Sequence, residues 1–219
     1  MKHLLVKWDS MLLKVCGMRD KNNVTDLLEV GPNYIGFIFF EKSKRHVTEF
    51  PDVQIPETIK KVGVFVNETQ DVVLEKVRNY QLNAVQLHGD ESVEYCKKLK
   101  AECSSRIEIF KAFSVDESFD FKRTEPYNAV CDAFVFDTKG EDRGGNGVKF
   151  NWELLSEYRG TTPYLLSGGI GLEDIELLKK FVQTSAVDKC MGVDVNSGFE
   201  MKPGLKKIEE LKQFKEILP

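Results

Sequence analysis

The residues best suited to acid–base chemistry in this chain are a cysteine and an aspartate, each at the end of a short apolar run. Cys16 ends the run in Lys-Val-Cys-Gly, and Asp137 ends the run in Val-Phe-Asp-Thr. A thiolate can remove a proton and a protonated carboxyl can donate one, so the pair could rearrange a bound small molecule. A single cysteine is more often inert packing, and this alternative stays open for Cys16. A buried carboxylate without a partner is costly, which favours a role for Asp137.

Polar residues alternate with apolar residues in several of the short apolar runs. Successive side chains of a strand point to opposite faces, so a run with apolar residues on one face presents its polar residues on the other. Two alternatives stay open, since His88 could instead cap the following helix and Lys14 could simply neutralise a carboxylate. The side chains that we expect to face inward are Lys14, Cys16, Gln86, His88, Asp137, Asp194 and Asn196.

Two glycine-containing segments indicate an anion site. They are Ser-Gly-Gly-Ile at 167–170 and Asn-Ser-Gly at 196–198. Backbone N–H groups approach an anion closely where side chains are absent, and the last two loops of an eight-stranded barrel commonly hold phosphate. We therefore predict phosphate binding around Gly168, Gly169, Ser197 and Gly198, with ordinary loop glycines as the alternative. A third cluster, at 144–147, is interpreted as a lid or a turn.

A basic segment, Glu-Lys-Ser-Lys-Arg-His at 41–46, lies between the second and third predicted strands. An arginine can hold a carboxylate through two parallel hydrogen bonds, which a lysine does less well. Arg45 is therefore a candidate carboxylate ligand, and a solvated basic loop is the alternative.

Eight short runs rich in β-branched and aromatic residues must position these groups. Most segments between them have helical periodicity, which is typical of a parallel sheet with crossover helices. Eight such units in 219 residues favour a single-domain α/β protein, a closed (β/α)8 TIM barrel, whose site lies at the carboxyl ends of the strands. The predicted strands are 12–17, 34–40, 61–66, 84–89, 107–113, 133–138, 163–169 and 191–198.

The predicted helices are 23–28, 72–80, 93–100, 152–158, 172–181 and 205–218, the last with Pro203 ahead of its first turn. Pro51 and Pro56 leave little room for a helix between the second and third strands. We expect residues 1–10 to be an N-terminal extension and residues 11–219 to form the barrel.

Composition narrows the class of partner. A net charge of -4, from 31 basic and 35 acidic residues, gives no basic face for nucleic acid, and no run approaches the roughly 20 apolar residues of a membrane span. We expect a small-molecule partner and neither nucleic acid nor membrane. Reduced thiols and a cytoplasmic location follow from an odd number of cysteines without zinc spacing, namely Cys16, Cys96, Cys103, Cys131 and Cys190.

Taken together, these segments resemble the phosphoribosylanthranilate isomerases. They cover all but one of the predicted strand ends, in order, and the combination is far more specific than any one of them. The matching stretches are KVCGMRD (14–20), GFIFFEKSKRHV (36–47), VGVFVNE (62–68), VQLHGDES (85–92), VFDTKGEDRGGNGVKFNW (135–152), LLSGGI (165–170) and VDVNSGFEMKPGLK (193–206).

The resemblance implies an Amadori rearrangement in tryptophan biosynthesis. N-(5-phosphoribosyl)anthranilate would become 1-(2-carboxyphenylamino)-1-deoxyribulose 5-phosphate, on a monomeric or homodimeric barrel without metal or cofactor. It implies that Cys16 is the general base, that Asp137 is the general acid and that Arg45 binds the carboxylate. Phosphate would be held around Gly168, Gly169, Ser197 and Gly198, and inward His88 and Asp194 complete the predicted substrate site.

The sequence argues against three rival functions. The related isomerase of histidine biosynthesis is expected to carry a carboxylate at the position of Cys16. A metal-dependent pentose-phosphate epimerase would need several inward histidines, and this chain has only His3, His46 and His88. A barrel that has lost catalysis and serves as a phosphate-binding or assembly partner would have little reason to retain the acid, the base, the arginine and both glycine loops together.

Overall fold

The computed structural model describes residues 11–103, 106–138 and 151–218 and shows a closed barrel of eight parallel strands. Each strand pairs with its neighbours in sequence, and β1 closes the barrel against β8. The predicted (β/α)8 barrel is therefore confirmed. The strands are β1 (Leu12–Val15), β2 (Tyr34–Ile38), β3 (Lys60–Phe65), β4 (Ala84–Leu87), β5 (Glu108–Val115), β6 (Ala133–Thr138), β7 (Tyr164–Ser167) and β8 (Cys190–Val195).

The helices that cover the barrel are uneven in length. Asp20 caps the first of them by accepting a hydrogen bond from the N–H of Asn23 at 2.9 Å, and Gly31 ends it in a left-handed conformation. The α-helices are α1 (Lys21–Val30), α2 (Gln70–Tyr80), α3 (Val93–Glu102), α4 (Ile175–Phe181) and α5 (Ile208–Ile217). Short 3-10 helices span Phe121–Tyr127, Trp152–Glu157, Leu172–Asp174, Ser185–Lys189 and Ser197–Phe199. No helix in the described part of the chain is long and apolar enough to cross a membrane.

Aromatic rings pack on the barrel between β2 and β3, where the two prolines were expected to leave little room for a helix. The rings of Phe39 and Phe50 each stack on Tyr80 of α2, with interplanar angles of 6° and 8°. This stack covers the outer face of the barrel over a segment that, in the described residues, has no helix of its own.

Two separate apolar cores confirm the predicted alternation of the strands. The inner core fills the barrel and includes Ala84 and Val135, whereas the outer core, under the helices, includes Val85 and Phe136. Residues that share the parity of the inner core point into the barrel. The polar groups of this parity at the carboxyl ends of the strands therefore converge at the mouth of the barrel.

A polar layer closes the opposite end of the barrel. Lys60 Nζ lies 2.5 Å from Glu108 Oε1, and the hydroxyl of Tyr34 donates to Glu108 Oε2 at 3.2 Å. The Tyr34 ring packs edge-on against Phe110 of the inner core. The carboxyl ends of the strands thus form the mouth, and Glu108 marks the far end.

The last predicted helix begins later than expected. Leu205 and Lys206 begin no helix; they form β10 (Leu205–Lys206), which pairs antiparallel with β9 (Glu200–Lys202), and α5 starts at Ile208. Pro203 and Gly204 make the turn of this hairpin, with Gly204 at φ 83°. Leu205 happens to continue the spacing of three that marks the helix, and this coincidence extended the predicted helix by one turn.

Two further predictions fall outside the described residues. These are the N-terminal extension at 1–10 and the glycine cluster at 144–147.

Candidate active site

Eight of the nine predicted site residues line a single pocket at the carboxyl ends of the strands. Gly198 follows directly after one of them. The eight lining residues are Cys16, Arg45, His88, Asp137, Gly168, Gly169, Asp194 and Ser197.

Cys16 is held at the mouth by the end of β1. Its N–H donates to the carbonyl of Val195 at 2.9 Å, which continues the pairing with β8. Gly36 of β2 lies directly beside the thiol, and a Cβ atom there would be 2.7 Å from Cys16 Sγ. The absent side chain at Gly36 therefore makes room for the thiol, which is buried and borders the pocket.

A lysine lies beneath the thiol on the same face of β1. Lys14 is fully buried and forms an ion pair with Asp194, with 2.8 Å between Nζ and Oδ1. Burial lowers the pKa of Lys14, but the negative charge of Asp194 more than offsets this effect, so the ammonium persists. Lys14 therefore neutralises a carboxylate, which was the alternative left open for it. Its positive charge also lowers the pKa of Cys16.

The ionisation of Cys16 depends on opposing effects. Burial raises the pKa of the thiol, Lys14 and Lys206 lower it, and Asp194 raises it further. The net pKa lies above the ordinary value, because desolvation of a thiolate in this position outweighs the two ammonium groups. Burial therefore opposes ionisation of Cys16, and a thiolate at this position depends on Lys14 and Lys206.

Asp137 is oriented by a chain of side chains from β4. His88 Nε2 lies 3.3 Å from Asp137 Oδ2, and His88 Nδ1 lies 2.9 Å from Gln86 Nε2. With the amide donating to Nδ1, the imidazole proton is on Nε2 and points at the carboxyl of Asp137. His88 does not cap the next helix, because the hydroxyl of Ser92 caps α3 by accepting from the N–H of Tyr95.

Arg45 is the one charged residue of the basic segment 41–46 that lines the pocket. Lys42 and Lys44 are exposed, whereas Arg45 is buried beside the pocket. Its Nε donates to both carboxylate oxygens of Glu200, at 2.9 and 3.0 Å, and its Nη2 donates to Oε2 at 2.6 Å. Arg45, which was predicted to bind a carboxylate of the substrate, thus already binds the carboxylate of Glu200.

The hairpin formed by β9 and β10 contributes two groups that the sequence did not predict for the site. Lys206 is 1% exposed, and its Nζ donates to Glu200 Oε1 and to Asn196 Oδ1, both at 2.6 Å. Burial lowers the pKa of Lys206 to about 8, although the Glu200 carboxylate opposes the shift. Burial would raise the pKa of Glu200, but its bonds to Arg45 and Lys206 prevail and lower it. The Pro203-Gly204 pair, a strong turn signal, is the pattern that could have found this hairpin.

The two glycine-containing loops meet at the other side of the pocket. Gly168 and Gly169 have φ of 105° and 65°, which favour glycine. A Cβ atom on Gly198 would lie 2.2 Å from the carbonyl oxygen of Ile170, so the loops after β7 and β8 are in direct contact. Within the described residues, no backbone carbonyl accepts a hydrogen bond from the N–H of Gly169, Ser197 or Gly198. These donors suit an anion.

The pocket therefore combines a thiol, a carboxyl beside an imidazole, a guanidinium and a set of backbone donors. Such a set can transfer protons on a small molecule that carries both a phosphate and a carboxylate. In the described ranges, no group of three or more histidine, cysteine, aspartate or glutamate residues could hold a metal ion.

The chain is similar to known proteins over nearly its whole length. The sequence profile of the family described as N-(5'phosphoribosyl)anthranilate (PRA) isomerase matches residues 13–216. The N-(5'-phosphoribosyl)anthranilate isomerase of Parabacteroides distasonis is 44% identical over 209 residues, which cover 93% of this chain and 91% of that protein. The one from Phocaeicola vulgatus is 42% identical over 196 residues, covering 90% and 92%.

Solved structures show the same fold. The crystal structure of phosphoribosyl anthranilate isomerase from Thermotoga maritima has a TM-score of 0.79 and 34% identity, and covers 95% of this chain and 98% of that chain. A crystal structure of phosphoribosyl anthranilate isomerase in complex with reduced 1-(o-carboxyphenylamino)-1-deoxyribulose 5-phosphate has a TM-score of 0.76 and 32% identity, and covers 95% of this chain and 98% of that chain. A dimeric form is described for the Thermotoga maritima protein. The match over nearly the whole length shows that the present chain belongs to the N-(5'-phosphoribosyl)anthranilate isomerase family.

Proposed function

We propose that the chain performs the reaction of its family with Cys16 as general base and Asp137 as general acid. The reaction is the Amadori rearrangement of N-(5-phosphoribosyl)anthranilate to 1-(2-carboxyphenylamino)-1-deoxyribulose 5-phosphate in tryptophan biosynthesis. The observation that supports these roles is the convergence of thiol and carboxyl, from β1 and β6, in one pocket that also holds Arg45 and the two glycine-containing loops.

Asp137 acts first, as a protonated carboxyl. Its proton passes to the ring oxygen of the ribose, and the electrons of the C1′–O bond move to that oxygen. The nitrogen lone pair of the anthranilate forms the C1′=N bond of a protonated Schiff base. The contact with His88 keeps the carboxyl aimed at the pocket, where general acid catalysis requires it.

Cys16 acts second, as a thiolate. It removes the proton from C2′, and the C–H electrons form a C1′=C2′ bond while the C1′=N electrons return to nitrogen. The resulting enolamine tautomerises to the ketone by taking up a proton at C1′ and losing the proton of the 2′-hydroxyl, so the rearrangement needs no external oxidant or reductant. Lys14 and Lys206 favour the negative charge on the thiol that this step requires.

The rest of the pocket binds the substrate. The N–H groups around Gly168, Gly169, Ser197 and Gly198 receive the phosphate, and Arg45 receives the carboxylate of the anthranilate. Asp194, which bonds Lys14 through Oδ1, also lines the pocket and can accept a hydrogen bond from the substrate. A cytoplasmic location is part of this proposal and is supported by free thiols at all five cysteines.

The activity is tested by the loss of phosphoribosylanthranilate fluorescence when the purified protein is added. We expect first-order decay that depends on protein concentration, and rescue of a tryptophan-requiring strain that lacks this step. Decay of the corresponding aminoaldose of histidine biosynthesis, without decay of phosphoribosylanthranilate, would contradict the proposal.

The phosphate role predicts the effect of Gly198→Ala. The added methyl group would collide with the Ile170 carbonyl and spread the two loops, so we expect the KM for substrate to rise about 10-fold, as for a lost charge-assisted hydrogen bond. Inhibition by inorganic phosphate should weaken to the same extent. The control is Gly31→Ala, which strains the end of α1 away from the pocket and should change neither value. Unchanged phosphate inhibition in Gly198→Ala would contradict the assignment.

The raised pKa of Cys16 predicts the pH range in which its thiol ionises. Because burial raises its pKa, the thiolate should appear only above about pH 8.5, the pKa of a free cysteine. The measurement is the ultraviolet absorbance of the thiolate in the wild type minus that in Cys16→Ser, in which the other four cysteines cancel. A full difference signal already at neutral pH would show that the ammonium groups outweigh burial.

A further inference from the structure

The guanidinium of Arg45 has two edges that can each hold a carboxylate, and the protein uses only one of them. Glu200 occupies the side edge, formed by Nε and one hydrogen of Nη2. Within the described part of the chain, no residue accepts a hydrogen bond from Nη1. The end edge, formed by Nη1 and the second hydrogen of Nη2, therefore remains for a ligand in the pocket that Arg45 lines.

Glu200 is itself fixed from three sides. Its Oε1 accepts from Lys206 Nζ at 2.6 Å and from the N–H of Gly204 at 3.0 Å, in addition to its bonds with Arg45. The hairpin that carries Glu200 is hydrogen-bonded to α1 through Asn23. The side-chain oxygen of Asn23 accepts from the N–H of Lys206 at 2.7 Å, and its side-chain nitrogen donates to the carbonyl of Lys206 at 3.0 Å. The orientation of the guanidinium is thus set through Glu200 by a hairpin that is hydrogen-bonded to α1.

The three charged side chains of this cluster carry a net positive charge that one further anion would balance. Arg45 and Lys206 carry two positive charges and Glu200 one negative charge, and all three are buried. Without Lys206, a second carboxylate on the same guanidinium would leave the group with excess negative charge, which is costly in a buried site. With Lys206, one added carboxylate makes the cluster neutral.

We propose that Glu200 and Lys206 are positioning residues for recognition of the substrate carboxylate. Glu200 directs the end edge of Arg45 into the pocket, and Lys206 supplies the charge that lets one guanidinium bind two carboxylates. This inference rests on the proposed role of Arg45, and it assigns to the hairpin of β9 and β10 the selectivity for an aromatic amine that carries a carboxylate.

The test compares two ligands in several variants. One ligand is reduced 1-(2-carboxyphenylamino)-1-deoxyribulose 5-phosphate, and the other is its phenylamino counterpart without the carboxyl group. The ratio of their Kd values, from titration calorimetry, reports the carboxylate contact alone. We expect a wild-type preference of about 100-fold for the carboxylated ligand, as for a bidentate charge-assisted pair.

The Glu200→Gln variant should reduce this preference by about 10-fold, because the amide holds the guanidinium less firmly. Its Kd for the ligand without carboxyl should stay within about 3-fold of wild type. Glu200→Asp keeps the charge but shortens the side chain, and it should also lose preference, which separates orientation from charge. Lys206→Met should reduce the preference as well. The matched control, Glu108→Gln, breaks an ion pair at the closed end of the barrel and should leave the preference unchanged.

Arg45→Met separates this inference from the role of Arg45 on which it rests. If Arg45→Met abolishes the preference while both Glu200 variants keep it, the positioning role is overturned and the role of Arg45 stands. If Arg45→Met also keeps the preference, both are overturned. Thermal unfolding of each variant verifies that it is folded, and the two Glu200 variants give independent readings should one of them not fold.

Discussion

Replacing Cys16 with serine should lower kcat about 1000-fold, within the range that general base catalysis contributes. The serine hydroxyl has nearly the same size, so it fits beside Gly36, but it ionises at far higher pH and cannot accept the C2′ proton. KM should change little, because the carboxylate and phosphate contacts are made by Arg45 and by the loops after β7 and β8. The measurement is the steady-state decay of phosphoribosylanthranilate fluorescence.

Two further variants make the result for Cys16 specific. Cys16→Asp supplies a base that is ionised at neutral pH, so it should be more active than Cys16→Ser. Cys103→Ser, at the end of α3, removes a thiol away from the pocket and should leave kcat unchanged. A kcat for Cys16→Ser within about 10-fold of wild type would refute the assigned role.

Replacing Asp137 with asparagine should lower kcat by about 100-fold to 10,000-fold, because the amide has the shape of the carboxyl but cannot donate a proton to the ring oxygen. The ribose ring then stays closed, and the Schiff base on which Cys16 acts does not form. The Kd of the reduced product analogue should remain near the wild-type value, since that ligand is already open. Kinetics and calorimetry on the same preparation separate the two effects.

Asp132→Asn is the control for this second prediction. Asp132 lies at the amino end of the same strand, where it accepts a hydrogen bond from the N–H of Ile109 at 2.8 Å. Its replacement should lower the melting temperature slightly and leave kcat unchanged. An Asp137→Asn protein with normal turnover would show that another group, such as His88, supplies the proton.

The strands were predictable because their pattern is local. Each run combines β-branched and aromatic residues with an alternation that the two cores reproduce, as with Ala84 inside and Val85 outside. The last helix was predicted one turn too long, because Leu205 continued the helical spacing while the turn at Pro203 and Gly204 was not weighed against it. The 3-10 helix at Phe121–Tyr127 was not predicted, since Pro126 within it is an argument against a helix.

The site was predictable only in part. Cys16 and Asp137 stand at strand ends, so parity and order along the chain were enough to bring them to the same mouth. The ion pair of Arg45 was not predictable, because Glu200 is 155 positions away and reaches the pocket through a hairpin. Lys206, which bonds Glu200, lies on the other strand of that hairpin. The ionisation of Cys16 likewise depends on burial and on Lys206, which no local pattern reveals.

The role of Cys16 as general base is tested most directly by single-turnover decay of phosphoribosylanthranilate fluorescence with protein in excess. The substrate carries either hydrogen or deuterium at C2′. Under these conditions product release does not limit the rate, and the proton taken by the base is the one that is labelled. We expect wild-type decay to slow with deuterium, and the Cys16→Ser protein to decay about 1000-fold more slowly than wild type. Decay of Cys16→Ser at the wild-type rate would contradict the account.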